Sequence, residues 1–399
     1  MNKLCIDELE LKGKRLLIRV DFNVPLTEKG EVEDDIRIRA ALPTIQYAIE
    51  RCARVILLSH LGRPKGKVVP AMSLKPVARR LSELLGKKVV MADDCIGEGV
   101  KALVSQMGDG DVLLLENCRF HEGDEKNDEA FSRALAELCD IYVNDAFGAA
   151  HRAHASTVGI TRFAPISACG FLVKRELEYL GKALSSPERP FVALLGGAKV
   201  SDKLEVIRNL IDKVDFLLIG GGMAYTFLKA QGFSVGRSLV EEDKLDIARE
   251  IMERARSKGV VFLLPLDNTV AERPEVGVHT RVCRSTEIPP DVMALDIGPV
   301  TIEAFSKAIK ASKTVFWNGP LGVYEKEPFR KGTVALASAI AESGATSIIG
   351  GGNTEAVVAQ EGLAKKMTHI STGGGASLEF LGGRELPGVA ALTDRNRES

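Results

Sequence analysis

Short continuous apolar runs alternate with stretches of helical periodicity from one end of the chain to the other, and this alternation restricts the fold more than any other feature. The runs fall at 15–20, 55–60, 89–91, 112–115 and 141–143, and again at 191–195, 216–219, 260–264, 314–317, 347–349 and 369–370. A strand that is apolar on both faces needs cover above and below, and helices between successive strands supply it. Helical patterns such as 40–52, 128–139 and 200–210 occupy the intervals. The class is therefore α/β, with parallel sheets flanked by helices on both faces. A helical stretch at 171–184 ends in a loop punctuated by Ser185, Ser186, Pro187 and Pro190, which marks a boundary between two similar halves. The expected division is 1–170, a connecting helix over 171–185, and 186–386.

A chain of 399 residues has room for two cores. Its 53 basic and 54 acidic residues give a net charge of −1, so no global field draws it to nucleic acid or to a membrane. Any basic site must be a local cluster. No apolar run approaches the ~18 residues of a membrane span, and the start has no apolar signal segment, so a cytoplasmic protein is expected. Seven dispersed cysteines without C-x-x-C spacing read as free thiols rather than a disulfide or metal framework.

Ligands of open parallel sheets sit beyond the carboxyl ends of the strands, and the two halves differ there. After first-half strands come Asp21 and Asn23, His60 and Arg63, Arg119, and Asn144 and Asp145 leading to Arg152, with Arg37 available nearby. Several guanidinium forks in one place suit a small molecule that carries phosphate or carboxylate. After second-half strands come Gly196 and Gly197, Gly220 to Gly222, Gly350 to Gly352 followed by Asn353 and Thr354, and Gly373 to Gly375. Glycine lets a flat ring or a phosphate chain approach the backbone. In F-V-A-L-L-G-G-A-K-V-S-D-K the turn at Gly196 and Gly197 is expected to expose amides, and a helix from 200 would place Lys199 and Lys203 on one face at its positive end, an arrangement for phosphate. Neither a P-loop nor G-x-G-x-x-G spacing is present, which counts against an NAD-dependent oxidoreductase. His151 and His154 lack a spaced carboxylate or cysteine and read as structural.

A nucleotide half and an arginine-rich half suggest phosphoryl transfer. The stretches R-V-D-F-N-V-P, S-H-L-G-R-P, A-H-R-A-H-A-S, G-G-A-K-V-S-D-K, W-N-G-P-L-G-V-Y-E and S-T-G-G-G-A-S-L-E, in this order, closely resemble the phosphoglycerate kinase family over essentially the whole chain. The resemblance implies two Rossmann-like domains joined by a hinge helix, with the tail 387–399 packed back on the first. It also implies a monomer that transfers a phosphoryl group between 1,3-bisphosphoglycerate and ADP, giving 3-phosphoglycerate and ATP, with Mg2+ accompanying the nucleotide.

By the same resemblance Asp21, Phe22, Asn23, Arg37, His60, Leu61, Gly62, Arg63, Arg119 and Arg152 would bind the triose. Arg63, Arg119 and Arg152 would hold its distal phosphate. Arg37, Lys199 and the amides of Gly373, Gly374 and Gly375 would face the migrating group. Gly196, Gly197, Gly220, Gly221, Leu295, Asn318 and Pro320 would line the nucleotide site, Glu325 would accept the ribose hydroxyls, and Lys203, Gly351, Gly352, Asn353 and Thr354 would lie at its phosphates. Two positions depart from the family pattern. Asn353, at the metal position, stands where an aspartate is usual, and Ala294 stands where a glycine is usual. The non-enzymatic alternative is a two-lobed nucleotide or anion binding protein.

Overall fold

The computed structural model describes residues 2–395, which separate into two compact units. One runs to Glu178 and takes in the tail from Glu385; the other spans Tyr179–Arg384. The first boundary falls inside the helix Phe171–Ser185.

In the first unit six strands form one parallel sheet: β1 (Arg15–Arg19), β2 (Arg54–Leu58), β3 (Val89–Met91), β4 (Val112–Leu114), β5 (Ile141–Asn144) and β6 (Ser167–Cys169), in the order β3-β4-β2-β1-β5-β6. Leu16 to Arg19 and Val55 to Leu58 are buried on both faces, as their unbroken apolar runs require. β6, short and carrying a serine, is not among the strands expected from apolar runs. The chain leaves β1 toward β2 but leaves β5 toward β6, so the loops after β1 and β5 part in opposite directions and open a crevice at the carboxyl edge. The tail adds to this unit through the Leu4 amide on Thr393 O (2.9 Å), the Thr393 amide on Ser167 O (2.9 Å) and Asn144 Nδ2 on Gly388 O (2.9 Å). Of the tail expected to pack here, residues 396–399 lie outside the described residues.

The second unit holds β7 (Phe191–Leu195), β8 (Phe216–Ile219), β9 (Val261–Leu263), β10 (Asp267–Ala271), β11 (Arg281–Arg284), β12 (Met293–Ile297), β13 (Thr314–Asn318), β14 (Thr346–Gly350) and β15 (His369–Ile370). Its parallel sheet has the order β15-β14-β13-β7-β8-β9, the doubly wound arrangement, with its switch point between β7 and β13. Val192, Leu194, Trp317 and Ile349 lie fully buried in its core. An antiparallel sheet, β11-β10-β12, was not expected. Its central strand begins with the polar Asp267 and Asn268, and β11 is largely exposed, so neither offers a continuous apolar run.

Helix starts also move. The helix expected from 200 is Leu204–Leu210; residues 201–203 form a turn before it. Lys199 and Lys203 therefore do not share a helical face, and Lys203 is the residue that caps the helix.

Candidate functional site

At the crevice of the first sheet the loop after β1 is pinned from several sides. The Phe22 amide donates to Ser59 Oγ (2.9 Å), Asn23 Oδ1 accepts the Gly62 amide (2.8 Å), and Arg37 Nη1 donates to Asp21 Oδ2 (2.5 Å). Arg37 lies in the first turn of the helix Ile36–Glu50, tethered by one nitrogen and otherwise part-exposed. Gly62, at φ 64°, carries the chain past Met72, whose sulfur would lie 2.9 Å from any added Cβ. Leu61 is fixed through its carbonyl, which accepts from Asn117 Nδ2 (2.7 Å).

Arg119 is buried on the turn Cys118–Phe120. Its Nη1 donates to Gly62 O (2.9 Å), while its buried Nε, 3.7 Å from Glu125, has no hydrogen-bond acceptor among the described residues. An unsatisfied buried donor costs free energy that an incoming anionic oxygen would recover. Asp124 ties this turn to the next loop: its carboxylate accepts the Ser156 amide (3.0 Å) and the Cys118 thiol (3.3 Å), and its carbonyl the Ala155 amide (2.8 Å). The loop so held carries Arg152, whose Nε donates to His151 Nε2 (3.1 Å), and His154, 3.8 Å from Asp124. His151 and His154 thus take structural partners. Arg63 is exposed.

His60 shows how the site is poised. Burial holds its ring well below the usual imidazole range, and the charges of Arg19, Arg119 and Arg37 press the same way, so it is neutral at pH 7. Arg19, fully buried on β1, reaches His60 Nδ1 at 3.1 Å and Ser156 Oγ at 3.0 Å. A guanidinium only donates, so Nδ1 must accept, and the ring proton resides on Nε2 as a donor for a ligand oxygen. Arg19 and Asp124 were missed in the sequence; the one available signal was an arginine closing the apolar run Leu16 to Ile18.

In the second unit a cavity of about 400 Å³ opens beside the switch point. Gly197, Gly221, Leu295, Pro320, Glu325 and Asn353 line it, as does Ala294. Gly196, Gly220, Lys199, Lys203, Asn318, Gly351, Gly352 and Thr354 do not. Tyr225, Arg237, Leu239 and Met293 also line it and were missed; Arg237 and Leu239 come from a segment outside the glycine clusters and Met293 from the unexpected antiparallel sheet.

The expectation of exposed amides at Gly196 and Gly197 is corrected. The Gly196 amide donates to Asn318 O (2.9 Å), that of Gly197 to Pro320 O (3.0 Å), and that of Gly221 to Leu321 O (3.1 Å). These glycines serve close approach. A Cβ on Gly196 would lie 2.2 Å from Pro320 O, and one on Gly221, at φ 66°, 2.7 Å from Gly197 N. The ends of β7, β8 and β13 can therefore meet as bare backbone and leave a flat wall. Lys203 Nζ donates to Asn318 Oδ1, Asn318 Nδ2 to Gly350 O (2.7 Å), and the Gly319 amide to Thr354 Oγ1 (2.7 Å). Burial lowers the Lys203 pKa, since an ammonium loses hydration there. Lys199 and Glu325 are exposed. Gly351, at φ 90°, precedes the helix Gly352–Gln360, and Gly374, at φ 49°, precedes Gly375–Leu381. First-turn amides of a helix lack partners within it, so each start presents donors. The Gly373 amide is already spent on Ser371 Oγ (3.2 Å).

Beneath the cavity wall Asp296 is buried, accepting the amides of Gly332 (2.8 Å) and Ile297 (2.9 Å). Burial pushes its pKa up to about 7. All seven cysteines are free, and among the described residues no helix is long and apolar enough to cross a membrane.

Comparison with known proteins points one way. The sequence model of the family described as Phosphoglycerate kinase matches residues 6–384. The chain is 59% identical over 395 residues to the phosphoglycerate kinase of Pelotomaculum thermopropionicum, covering 99% of this chain and 100% of that one. It is 60% identical over 391 residues to that of Anaeromyxobacter dehalogenans, covering 98% and 99%. The solved phosphoglycerate kinase of Coxiella burnetii is similar with a TM-score of 0.91 at 44% identity, covering 100% of both chains. That of Pyrococcus horikoshii is similar with 0.84 at 33%, covering 98% of both.

Proposed function

The chain belongs to the phosphoglycerate kinase family, and from that premise we propose which of its residues carry the reaction. The reaction is reversible phosphoryl transfer between 1,3-bisphosphoglycerate and ADP. In the ATP-consuming direction a carboxylate oxygen of 3-phosphoglycerate forms a bond to the γ-phosphorus while the bond from that phosphorus to the β-bridging oxygen breaks, and ADP leaves. A carboxylate is already ionised at pH 7, so the nucleophile needs no general base, and the protein's contribution is position and charge.

We assign 3-phosphoglycerate to the crevice of the first unit. Arg63, Arg119 and Arg152 hold its phosphate, Asp21 and Asn23 its hydroxyl, and His60 donates from Nε2. Arg37 acts at the carboxyl group, with the loop Phe22, Leu61 and Gly62 shaping the backbone around it. The observation that carries this assignment is the buried Arg119 Nε without a hydrogen-bond acceptor among the described residues, in a guanidinium whose Nη1 donates to Gly62 O. We assign the adenine to the wall lined by Gly197, Gly221, Leu295 and Pro320, which Gly196 and Gly220 allow to form by close approach, and the ribose to Glu325. The phosphates fall to Lys203, Asn318, Gly351, Gly352 and Thr354, and the transition-state charge to Lys199, Arg37 and the helix start at Gly374 and Gly375, the Gly373 amide being held by Ser371 Oγ. A cation acting on the transferring group stabilises charge that develops only there.

A divalent ion fits the donor set modestly. Asn353 borders the cavity with one neutral amide oxygen, and Mg2+ commonly takes one or two protein oxygens with phosphates and water completing its shell. Bound with the nucleotide, Mg2+ would neutralise phosphate charge; Asn353 would orient it. The free thiols support a reducing cytoplasm. The test is a coupled assay of ATP-dependent phosphorylation of 3-phosphoglycerate with purified protein. Turnover is expected; saturable ligand binding without turnover would favour the two-lobed binding protein instead.

A further inference from the structure

We propose that Asp94, Cys95 and His121 form a binding site for a borderline transition-metal dication, Zn2+ being the type, separate from the residues assigned to either substrate. One ligand atom from each of the three lies within 4.8 Å of the other two. A tetrahedral zinc with Zn–S near ~2.3 Å and Zn–N or Zn–O near ~2 Å sets its donors roughly 3–4 Å apart, so small side-chain shifts complete the triangle. No spacing along the chain signals this set. It arises because β3 and β4 are paired in parallel, so the loop carrying Asp94 and Cys95 and the turn ending before His121 leave the sheet side by side. The Ala92 amide on Leu114 O (2.9 Å) and the Glu116 amide on Asp94 O (3.3 Å) stitch those loops together.

Two of the donors already hold one another: His121 Nε2 and Asp94 Oδ1 are 2.6 Å apart. An ordinary surface ion pair explains that contact but gives no reason for a third donor. Cys95 is fully buried, whereas the side chains of Asp94 and His121 are 51% and 32% exposed. Sulfur would therefore approach an ion from the protein side, nitrogen and oxygen from the flanks, and the fourth position would open to water, the pattern of three protein ligands and one exchangeable site. The donor types exclude the nucleotide's ion, because Mg2+ is hard and avoids thiolate, while imidazole and thiolate together favour zinc. On binding, the Cys95 thiol transfers its proton to solvent and the sulfur–metal bond replaces it. His121 directly follows the turn that carries Arg119, so a bound ion would brace that turn.

Titration of chelator-stripped protein with Co2+ tests the site. One equivalent is expected to bind with a near-ultraviolet sulfur-to-cobalt charge-transfer band, which excess Zn2+ removes and excess Mg2+ leaves. Cys95→Ser should abolish the band. His121→Gln and Asp94→Asn, changes at part-exposed positions, should each weaken Zn2+ binding by at least ~10-fold, the loss that even an outer-shell partner causes. The proposal is overturned if no charge-transfer band forms, if the band survives Cys95→Ser, if Mg2+ removes it, or if His121→Gln binds Zn2+ as tightly as the parent.

Discussion

Removing the charge of Asp296 should make the second unit less sensitive to rising pH, and the size of the effect follows from its surroundings. The carboxyl sits where Gly322 and Gly332 bring backbone against it; a Cβ on either would come within 2.4 or 2.5 Å of Oδ1. Burial raises its pKa from 3.8 to about 7, outweighing the two amide hydrogen bonds that favour the charged form. Between those values the folded state keeps a proton that the unfolded state has released. The stabilising contribution is therefore fully present below pH 3.8 and is lost as pH rises through 7. Each pH unit in that window is worth about 1.4 kcal/mol, so from pH 5 to above 7 the loss comes to roughly 3 kcal/mol.

Asp296→Asn cannot ionise, but its amide nitrogen must face one of the two donors on Gly332 and Ile297, at a cost of about 1–3 kcal/mol. The parent should be the more stable protein near pH 4, where the carboxyl has lost little of its contribution. The gap should shrink by about 1.4 kcal/mol per unit and level off above pH 7, with the variant then as stable or more so. Trp317 is the only tryptophan and lies fully buried on β13, so its fluorescence in urea reports this unit. Other titrating groups cancel in the difference between the two proteins. A gap that is flat between pH 5 and 8, or that widens with pH, would refute the reasoning.

Three further outcomes are expected. Arg37→Ala or Lys199→Ala should each lower turnover by ~100-fold or more with smaller changes in substrate affinity, and near-parental turnover in a folded variant removes that residue from the chemistry. Gly196→Ala would drive a methyl to 2.2 Å from Pro320 O and 2.6 Å from Gly319 O, so it should cost roughly 1–3 kcal/mol in urea unfolding and weaken ADP binding by calorimetry while sparing 3-phosphoglycerate; unchanged ADP affinity would contradict the close-approach role. Asn353→Asp should shift half-saturation to lower free magnesium at fixed nucleotide, because an anionic oxygen holds a small hard cation better, and superimposed curves would mean that residue 353 is not a metal contact.

What could be read from the chain in advance depended on whether a feature is local. Strand β7 and the glycines after it were legible because a buried run followed by Gly-Gly is a local pattern, and Arg37, Arg119 and Arg152 were legible as charges placed beyond strand ends. Contacts made across the sheet were not. The amides of Gly196 and Gly197 looked available until β13 came alongside and took them with Asn318 O and Pro320 O. Lys199 and Lys203 looked like one helical face until the helix began at Leu204, and the lysine that stays close to the β13–β14 edge does so through Asn318, 115 residues away in sequence. Arg19 is the sharpest case: an arginine at the end of a strand, not singled out in the sequence, sets the tautomer of His60 through a contact 41 residues distant. Local pattern thus locates the edge at which ligands are expected, whereas the protonation and orientation of the groups there are set by pairs that only the fold brings together. Substitutions in that second class, Arg19 and Asp296 among them, should alter pH dependence and positioning while leaving the glycine and arginine motifs intact.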